Sequence, residues 1–150
     1  MNSAHEKVIN DIKFSSRTEH LFGTCSDDGH FKLWDVRSLK DAKSFTQCNQ
    51  ASEDDLLTIS FSQLNDHLFA TGGESSGIIN IWDMRMPKDF INDLNYHKKP
   101  VTQIEWSPHH EYLFMSSAED GEIFVWDQSK NGEEQARHDY QDGPPEMIFP

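Results

Sequence analysis

Thr24-Cys-Ser-Asp-Asp-Gly-His-Phe-Lys-Leu-Trp-Asp35 is a stretch that this 150-residue chain writes three times. It returns as Thr71-Gly-Gly-Glu-Ser-Ser-Gly-Ile-Ile-Asn-Ile-Trp-Asp83 and as Ser116-Ser-Ala-Glu-Asp-Gly-Glu-Ile-Phe-Val-Trp-Asp127. The Trp-Asp pairs stand at 34/35, 82/83 and 126/127, so the units repeat at 48 and 44 residues. Each copy starts on a small polar residue, passes through a turn containing glycine and enters an apolar run closed by the pair. That order predicts a β-hairpin, with the glycine at the turn's positive-φ position and an antiparallel strand on either side. A tryptophan closing the second strand buries its ring and still finds an acceptor for its indole N–H.

Moving outward from the hairpins, His5 precedes Trp34 by 29 residues and His97 precedes Trp126 by the same 29. The equal spacing predicts that each histidine meets its hairpin aspartate, Asp28 or Asp120, and a strand hydroxyl, Thr24 or Ser116. The result is a hydrogen-bonded chain that ends on Trp34 or Trp126 and pins the unit. The middle unit departs from this pattern. Its turn, Glu74-Ser75-Ser76-Gly77, is one residue longer and lacks the aspartate, and no histidine stands 29 or 30 residues before Trp82. The expectation is that unit two lacks the polar chain and is the softest of the three. Units of about 40 to 45 residues ending in Trp-Asp read as blades of a β-propeller.

These repeats resemble the WD-repeat family over nearly the whole chain. The implied fold class is all-β, a partial β-propeller of three four-stranded WD-repeat blades at about 5–48, 54–96 and 97–150, the last with an insertion at 128–146. In blade one, Val8, Ile9, Ile12 and Phe14 mark the first strand, followed by Leu21 to Ser26, Phe31 to Trp34 and a weak fourth at Ser44 to Gln47. Blade two repeats the order with Leu56 to Phe61, Leu68 to Thr71, Ile78 to Trp82 and Phe90 to Leu94. Blade three has Val101 to Trp106, Tyr112 to Ser116 and Ile123 to Trp126, with Met147 to Phe149 as a delayed fourth strand. The third strands are apolar nearly throughout, which suits coverage on both faces. Closure takes roughly four to eight blades, so the missing blades are needed for a ring. The reading favours a piece of a longer propeller over assembly from copies or an open unit.

The formal net charge is −13, with 26 acidic against 13 basic residues. Direct binding to nucleic-acid phosphates is disfavoured, and a basic protein partner suits the field better. Cys25 and Cys48 have no ligand spacing and are too few for a secreted disulfide framework. With neither a signal-peptide run nor 18 consecutive apolar residues, a soluble, non-secreted protein with no membrane partner is expected. Asp27-Asp28, Glu53-Asp54-Asp55 and Glu133-Glu134 are adjacent carboxylates on turns without a nucleophile and base beside them, so no catalytic site and no enzyme is read. His109-His110 has no third ligand at a convincing spacing and reads as a turn, which leaves no metal site and no cofactor.

The insertion singles out a narrower branch. Trp126-Asp127-Gln-Ser-Lys130-Asn-Gly-Glu-Glu-Gln135, then Asp139 and Asp142-Gly143-Pro144-Pro145-Glu146, resembles the acidic double-proline loop of the retinoblastoma-associated histone-binding proteins. Leu21-Phe22-Gly23 and Trp106-Ser107-Pro108-His109 agree with that branch. Its members are WD-repeat subunits of chromatin assembly factor, type B histone acetyltransferase, and deacetylase and Polycomb complexes. The resemblance implies a non-enzymatic, nuclear and also cytoplasmic subunit that takes the first helix of histone H4 in a groove at the propeller's side. Asp139 and Asp142 would accept from histone arginines, Gly143 to Glu146 would form the stiff loop, and Phe149 would line the apolar floor. Two features depart from the branch: the long N-terminal helix that forms half of the groove is not read here, and Pro150 stands at an apolar position. Histone H3 is a second partner in that family, read by acids near the start of each first strand. The matching places here are Asn10, Leu57 and Pro100, with Asp55 nearby. The alternative is a general WD-repeat scaffold, such as a ubiquitin-ligase adaptor or a member of an RNA-processing assembly.

Overall fold

Each hairpin of the repeat supplies the two middle strands of a four-stranded antiparallel sheet, and the described residues form three such sheets. The computed structural model describes residues 4–37, 46–49, 54–75, 77–86, 88–131 and 147–149; for 46–49 and Phe149 the description is limited to the backbone. Blade one consists of β1 (Ile9–Phe14), β2 (Leu21–Ser26), β3 (His30–Asp35) and β4 (Thr46–Asn49). Blade two consists of β5 (Leu56–Phe61), β6 (Leu68–Gly73), β7 (Ile78–Asp83) and β8 (Phe90–Asn95). Blade three consists of β9 (Val101–Trp106), β10 (Leu113–Ala118), β11 (Ile123–Asp127) and β12 (Met147–Phe149). Every sheet is a simple meander in chain order. The turn glycines Gly29, Gly77 and Gly121 have φ of +74°, +63° and +82°, as a hairpin of this kind requires.

The weak fourth strand of blade one lies two residues beyond its expected place. β4 pairs with β3 from Leu33↔Thr46 to His30↔Asn49, so register against a formed neighbour locates it, and apolar content does not. Phe45, on which that expectation centred, lies outside the described residues.

Within each blade a phenylalanine of the second strand pairs across to the tryptophan of the third. Phe22↔Trp34, Phe69↔Trp82 and Phe114↔Trp126 are all register partners. In all three the rings are stacked at 6.1 Å, with interplanar angles of 13°, 15° and 18°. The three copies therefore converge on one side-chain arrangement as well as on one backbone.

The core lies between blades. One apolar layer joins Leu21, Cys25, Phe31 and Leu33 of blade one to Ile59, Phe61, Phe69 and Trp82 of blade two. A second joins Ala70, Ile79 and Ile81 of blade two to Ile104, Trp106, Phe114 and Trp126 of blade three. The first strands run side by side in the order β1, β5, β9. Asp11 on β1 accepts from Thr58 Oγ1 (3.1 Å) and from Ile59 N–H (3.2 Å), and Trp106 Nε1 donates to the Ser60 carbonyl (3.2 Å). At the loop end, Arg17 Nε donates to Asp66 (2.7 Å) and Asn65 Nδ2 to Glu111 (2.9 Å). Sheets stacked face to face in series are the geometry of propeller blades.

Coverage on both faces holds for β7 and not for the other third strands. β7 is buried along its interior, whereas in blade one Lys32 is only half-buried and in blade three Ile123 is exposed. Among the described residues, only the middle blade has a neighbour on each side. The same fact bears on the expected softness of blade two. Its polar chain is shortened, not lost: Trp82 Nε1 still donates to Thr71 Oγ1 (2.9 Å). Buried Asp54 also accepts from Ser75 N–H (2.6 Å). Leu56, Ile59, Phe69, Ala70 and Ile79 are all 0% exposed, so apolar burial offsets the absent histidine.

Candidate functional site

Two of the three hairpins carry a buried polar chain. In blade one, Trp34 Nε1 donates to Thr24 Oγ1 (2.9 Å), and His5 Nε2 lies 2.7 Å from the same oxygen. His5 Nδ1 in turn reaches Asp28 Oδ2 (2.9 Å), which also accepts from Glu6 N–H (3.0 Å). Blade three repeats it: Trp126 Nε1 to Ser116 Oγ (2.9 Å), His97 Nε2 to the same oxygen (2.8 Å), and His97 Nδ1 to Asp120 Oδ2 (3.0 Å). Asp120 also accepts from Lys98 N–H (3.1 Å) and Glu122 N–H (2.9 Å). The carboxylate acts only as an acceptor, so Nδ1 carries the ring proton and Nε2 accepts from the hydroxyl. Ser116, His97 and Asp120 are ordered like a hydrolytic triad. Ser116 is nevertheless 2% exposed and its hydroxyl is held by an indole N–H, so it is an internal strut tying the chain entering the blade to its hairpin.

Burial favours the neutral ring of His5 and lowers its pKa from the ordinary 6.5, against the pull of Asp28. Burial also raises the Asp28 and Asp120 carboxyls. Donation from Glu6 N–H and His5 to Asp28, and from Glu122 N–H and His97 to Asp120, outweighs it and leaves both below 3.8. Both shifts have the same sign in their effect on stability. A depressed native His pKa means that acid favours the unfolded chain, so stability is full above pH 6.5 and falls as pH drops through the depressed native value. The two aspartates add a further loss below pH 3.8. Thermal melts between about pH 7.5 and 5.5 should show this decline, and His5→Ala should flatten it while lowering stability at the upper pH by about 1–3 kcal/mol.

The expected histone contacts fall mostly outside the described residues. Asp139, Asp142, Gly143, Pro144, Pro145 and Glu146 are not described, and Phe149 is placed through its backbone. Asp127 caps a 3₁₀ turn at Gln128–Lys130 by accepting from Ser129 N–H (2.9 Å). After the insertion, β12 pairs with β11 through Trp126↔Met147 and Val125↔Phe149. The described residues before and after the insertion thus belong to the third and the outer strand of blade three.

An acidic feature that sequence reasoning missed lies at the end where the first strands begin. Asp27, Glu74 and Glu119 occupy one equivalent position in the three blades. The N–H of each donates to the carbonyl of the residue just ahead of, or next to, its first strand: Val8 (3.0 Å), Asp55 (2.9 Å) and Pro100 (3.0 Å). The Glu74 carboxyl is raised by its setting and by the neighbouring charges of Asp55, Asp27 and Asp54. Of Asn10, Leu57 and Pro100, which the resemblance matched to acidic places of the family, Asn10 donates to Asp27 (2.5 Å) and to the Leu56 carbonyl (2.8 Å), and the Pro100 carbonyl accepts from Glu119 N–H. The signal was an acid recurring three residues after Thr24, Thr71 and Ser116.

Asp35 and Asp83 of the Trp-Asp pairs each clasp an arginine two residues on, Arg37 and Arg85. Arg37 holds the Asp35 carboxyl down to about 2. Blade three puts Ser129 in that place. His109 and His110 both donate their N–H to Ser107 Oγ (3.2 and 3.1 Å) and shape a turn. Burial pushes the Cys25 thiol far above its ordinary range.

Among known proteins, a β-propeller family model described as "Nucleolar protein 10-like, N-terminal domain" matches residues 1–142. The chain is 33% identical to "Histone acetyltransferase type B subunit 2" of Candida glabrata over 97% of its own length and 33% of that protein's. It is 32% identical to the protein of the same name from Debaryomyces hansenii, over 98% of its own length and 36% of the relative's. It is 24% identical to "Histone-binding protein MSI1" of Saccharomyces cerevisiae, over 85% and 29%. The chain spans about a third of the length of the curated relatives it matches. Proteins whose names carry no histone role match as well. Sequence repeat, sheet order and family match agree, and the chain belongs to this family of WD-repeat β-propellers.

Proposed function

We propose that this chain is part of a non-enzymatic, nuclear histone-binding WD-repeat subunit, and that its double-proline insertion takes the first helix of histone H4. The observation that carries the reading is the similarity, along nearly the whole chain, to type B histone acetyltransferase subunits from two organisms. The position of β12 supports it: the strand that follows the insertion is the outer strand of blade three, and an apolar helix face laid against a groove is a recurring mode of recognition. In this reading Asp139 and Asp142 accept charge-assisted hydrogen bonds from histone arginines. Pro144 and Pro145 stiffen the loop between Gly143 and Glu146, so less entropy is lost on binding. Phe149 supplies the apolar floor. The net charge of −13 adds a field that attracts a basic partner. A pull-down with an H4 first-helix peptide, with this stretch carried in a complete ring, tests it. Asp139→Ala and Asp142→Ala should each weaken binding about tenfold; equal binding by parent and double variant would remove the loop's role.

The acidic positions Asp27, Glu74 and Glu119 support a second contact, with a basic histone H3 tail across the end of the ring. The competing reading, a general WD-repeat scaffold, draws on the matching relatives without a histone role in their names. Affinity purification that returned no chromatin component would favour it.

A further inference from the structure

The aspartate of each Trp-Asp pair folds the same turn. Asp35, Asp83 and Asp127 accept through Oδ1 from the backbone N–H two residues on, at 2.9, 2.8 and 2.9 Å. In blades one and two that residue is an arginine, and its guanidinium closes on the carboxylate. Nε of Arg37 and of Arg85 donates to Oδ1 (2.9 and 3.0 Å), and Nη2 of each donates to Oδ2. His20 and His67 bear on the same two carboxylates, and their carbonyls accept from Val36 N–H and Met84 N–H.

Blade three keeps the aspartate and lacks both cations. Ser129 stands in the place of the arginines, and Tyr112, whose carbonyl accepts from Gln128 N–H, stands in the place of the histidines. The Ser129 hydroxyl donates to Oδ1 (2.6 Å), so both acceptor sites of that oxygen are taken. Among the described residues, none donates to Oδ2 of Asp127. Capping of the turn explains Oδ1 and leaves Oδ2 without a role. Asp127 closes β11, and its neighbour Trp126 pairs with Met147, the first residue of β12. The carboxylate therefore stands at the end of blade three where the strands before and after the insertion lie side by side.

We propose that Asp127 is a further arginine-binding residue, whose Oδ2 takes a guanidinium from the partner held at the insertion. This rests on the reading of that partner as a basic helix and adds a carboxylate that the resemblance does not assign. The internal comparison carries it: twice in the chain, the same aspartate on the same turn holds a guanidinium, so the backbone presents these oxygens to arginine. A carboxylate oxygen with two open acceptor sites takes two N–H groups of one guanidinium in charge-assisted bonds. A lysine ammonium is a hydrated point charge without that fork. Arg37 and Arg85 neutralise the aspartates of the other two blades from within, so those blades offer a partner no such place.

Calorimetric titration with the H4 first-helix peptide, with this stretch carried in a complete ring, compares the parent with Asp127→Asn and, as a control, Asp35→Asn. Asparagine keeps an oxygen to cap the turn, and thermal melts verify that the fold is retained. Asp127→Asn should weaken binding about tenfold, and Asp35→Asn should leave it unchanged. Replacing the peptide's arginines by alanine one at a time should find one whose loss abolishes the difference between parent and Asp127→Asn. Unchanged binding by Asp127→Asn, while the Asp139→Ala, Asp142→Ala double variant weakens it, would overturn this proposal and leave the loop's role standing; no binding by the parent would remove both. Coupling of Asp127 to peptide lysines alone would also overturn it. So would non-additive melts of Asp127→Asn and Arg137→Gln without peptide, which would give the place to the chain's own Arg137.

Discussion

Trp82→Ala is expected to destabilise the chain by about 3–5 kcal/mol, read as a lowered urea midpoint with an unchanged slope. Trp82 is 1% exposed and sits where two blades meet. Its ring is 4.9 Å from Phe31 of blade one, stacks on Phe69 at 6.1 Å and meets the edge of Phe90 at 6.0 Å. Truncation empties the centre of the first interface and takes the indole N–H from Thr71 Oγ1, itself 0% exposed. The cost thus combines lost transfer energy, a cavity and a buried hydroxyl left short of a donor. Trp34→Ala should cost less, because Trp34 has an equivalent stacked partner, Phe22, but no preceding blade against its outer side among the described residues. Equal losses at the two sites would mean that stability resides within blades and not between them.

Gly77→Ala should be nearly as damaging, by about 3 kcal/mol or more, although it adds a single carbon. At a φ of +63° an L-residue is strained by about 1–2 kcal/mol. Worse, the added Cβ would stand 2.5 Å from the His97 carbonyl oxygen and 2.8 Å from that of Lys99. Those are backbone atoms at the entry to blade three, and His97 is held by Ser116 and Asp120. Gly121→Ala separates the two effects. Gly121 has a φ of +82° and nothing within 4 Å of an added carbon, so it should show the conformational cost alone. The pair of thermal shifts checks this, and an equal loss at both glycines would exclude the collision with blade three.

Much of the architecture was legible because a repeat states its own period. The three Trp-Asp hairpins, their turn glycines and the two histidines placed 29 residues ahead of a tryptophan are local or fixed-offset patterns. Backbone geometry converts them into contacts, as with His5 on Thr24 and His97 on Ser116. The polar remnant in blade two was harder to read, since Asp54 reaches Ser75 from a position no other blade uses. The joint between blades was also hidden. Asp11 binds Thr58 and Ile59 some 47 residues away, a pairing set by how two sheets stack. Of the candidate site, the double-proline loop was visible as an interruption of rhythm, whereas the acids Asp27, Glu74 and Glu119 became a set only once three turns stood at one end.

By itself, the sequence determined the number of blades, their hairpins and the side chains that pin two of them, because periodicity and turn chemistry act over a few residues. Which identical residues are core and which are surface was decided by tertiary structure. Ile59 and Phe61 are buried while Ile12 and Phe14, the same pair in the same strand position, are exposed. Burial belongs to the neighbour that covers a face, and no strand carries that neighbour in its own letters.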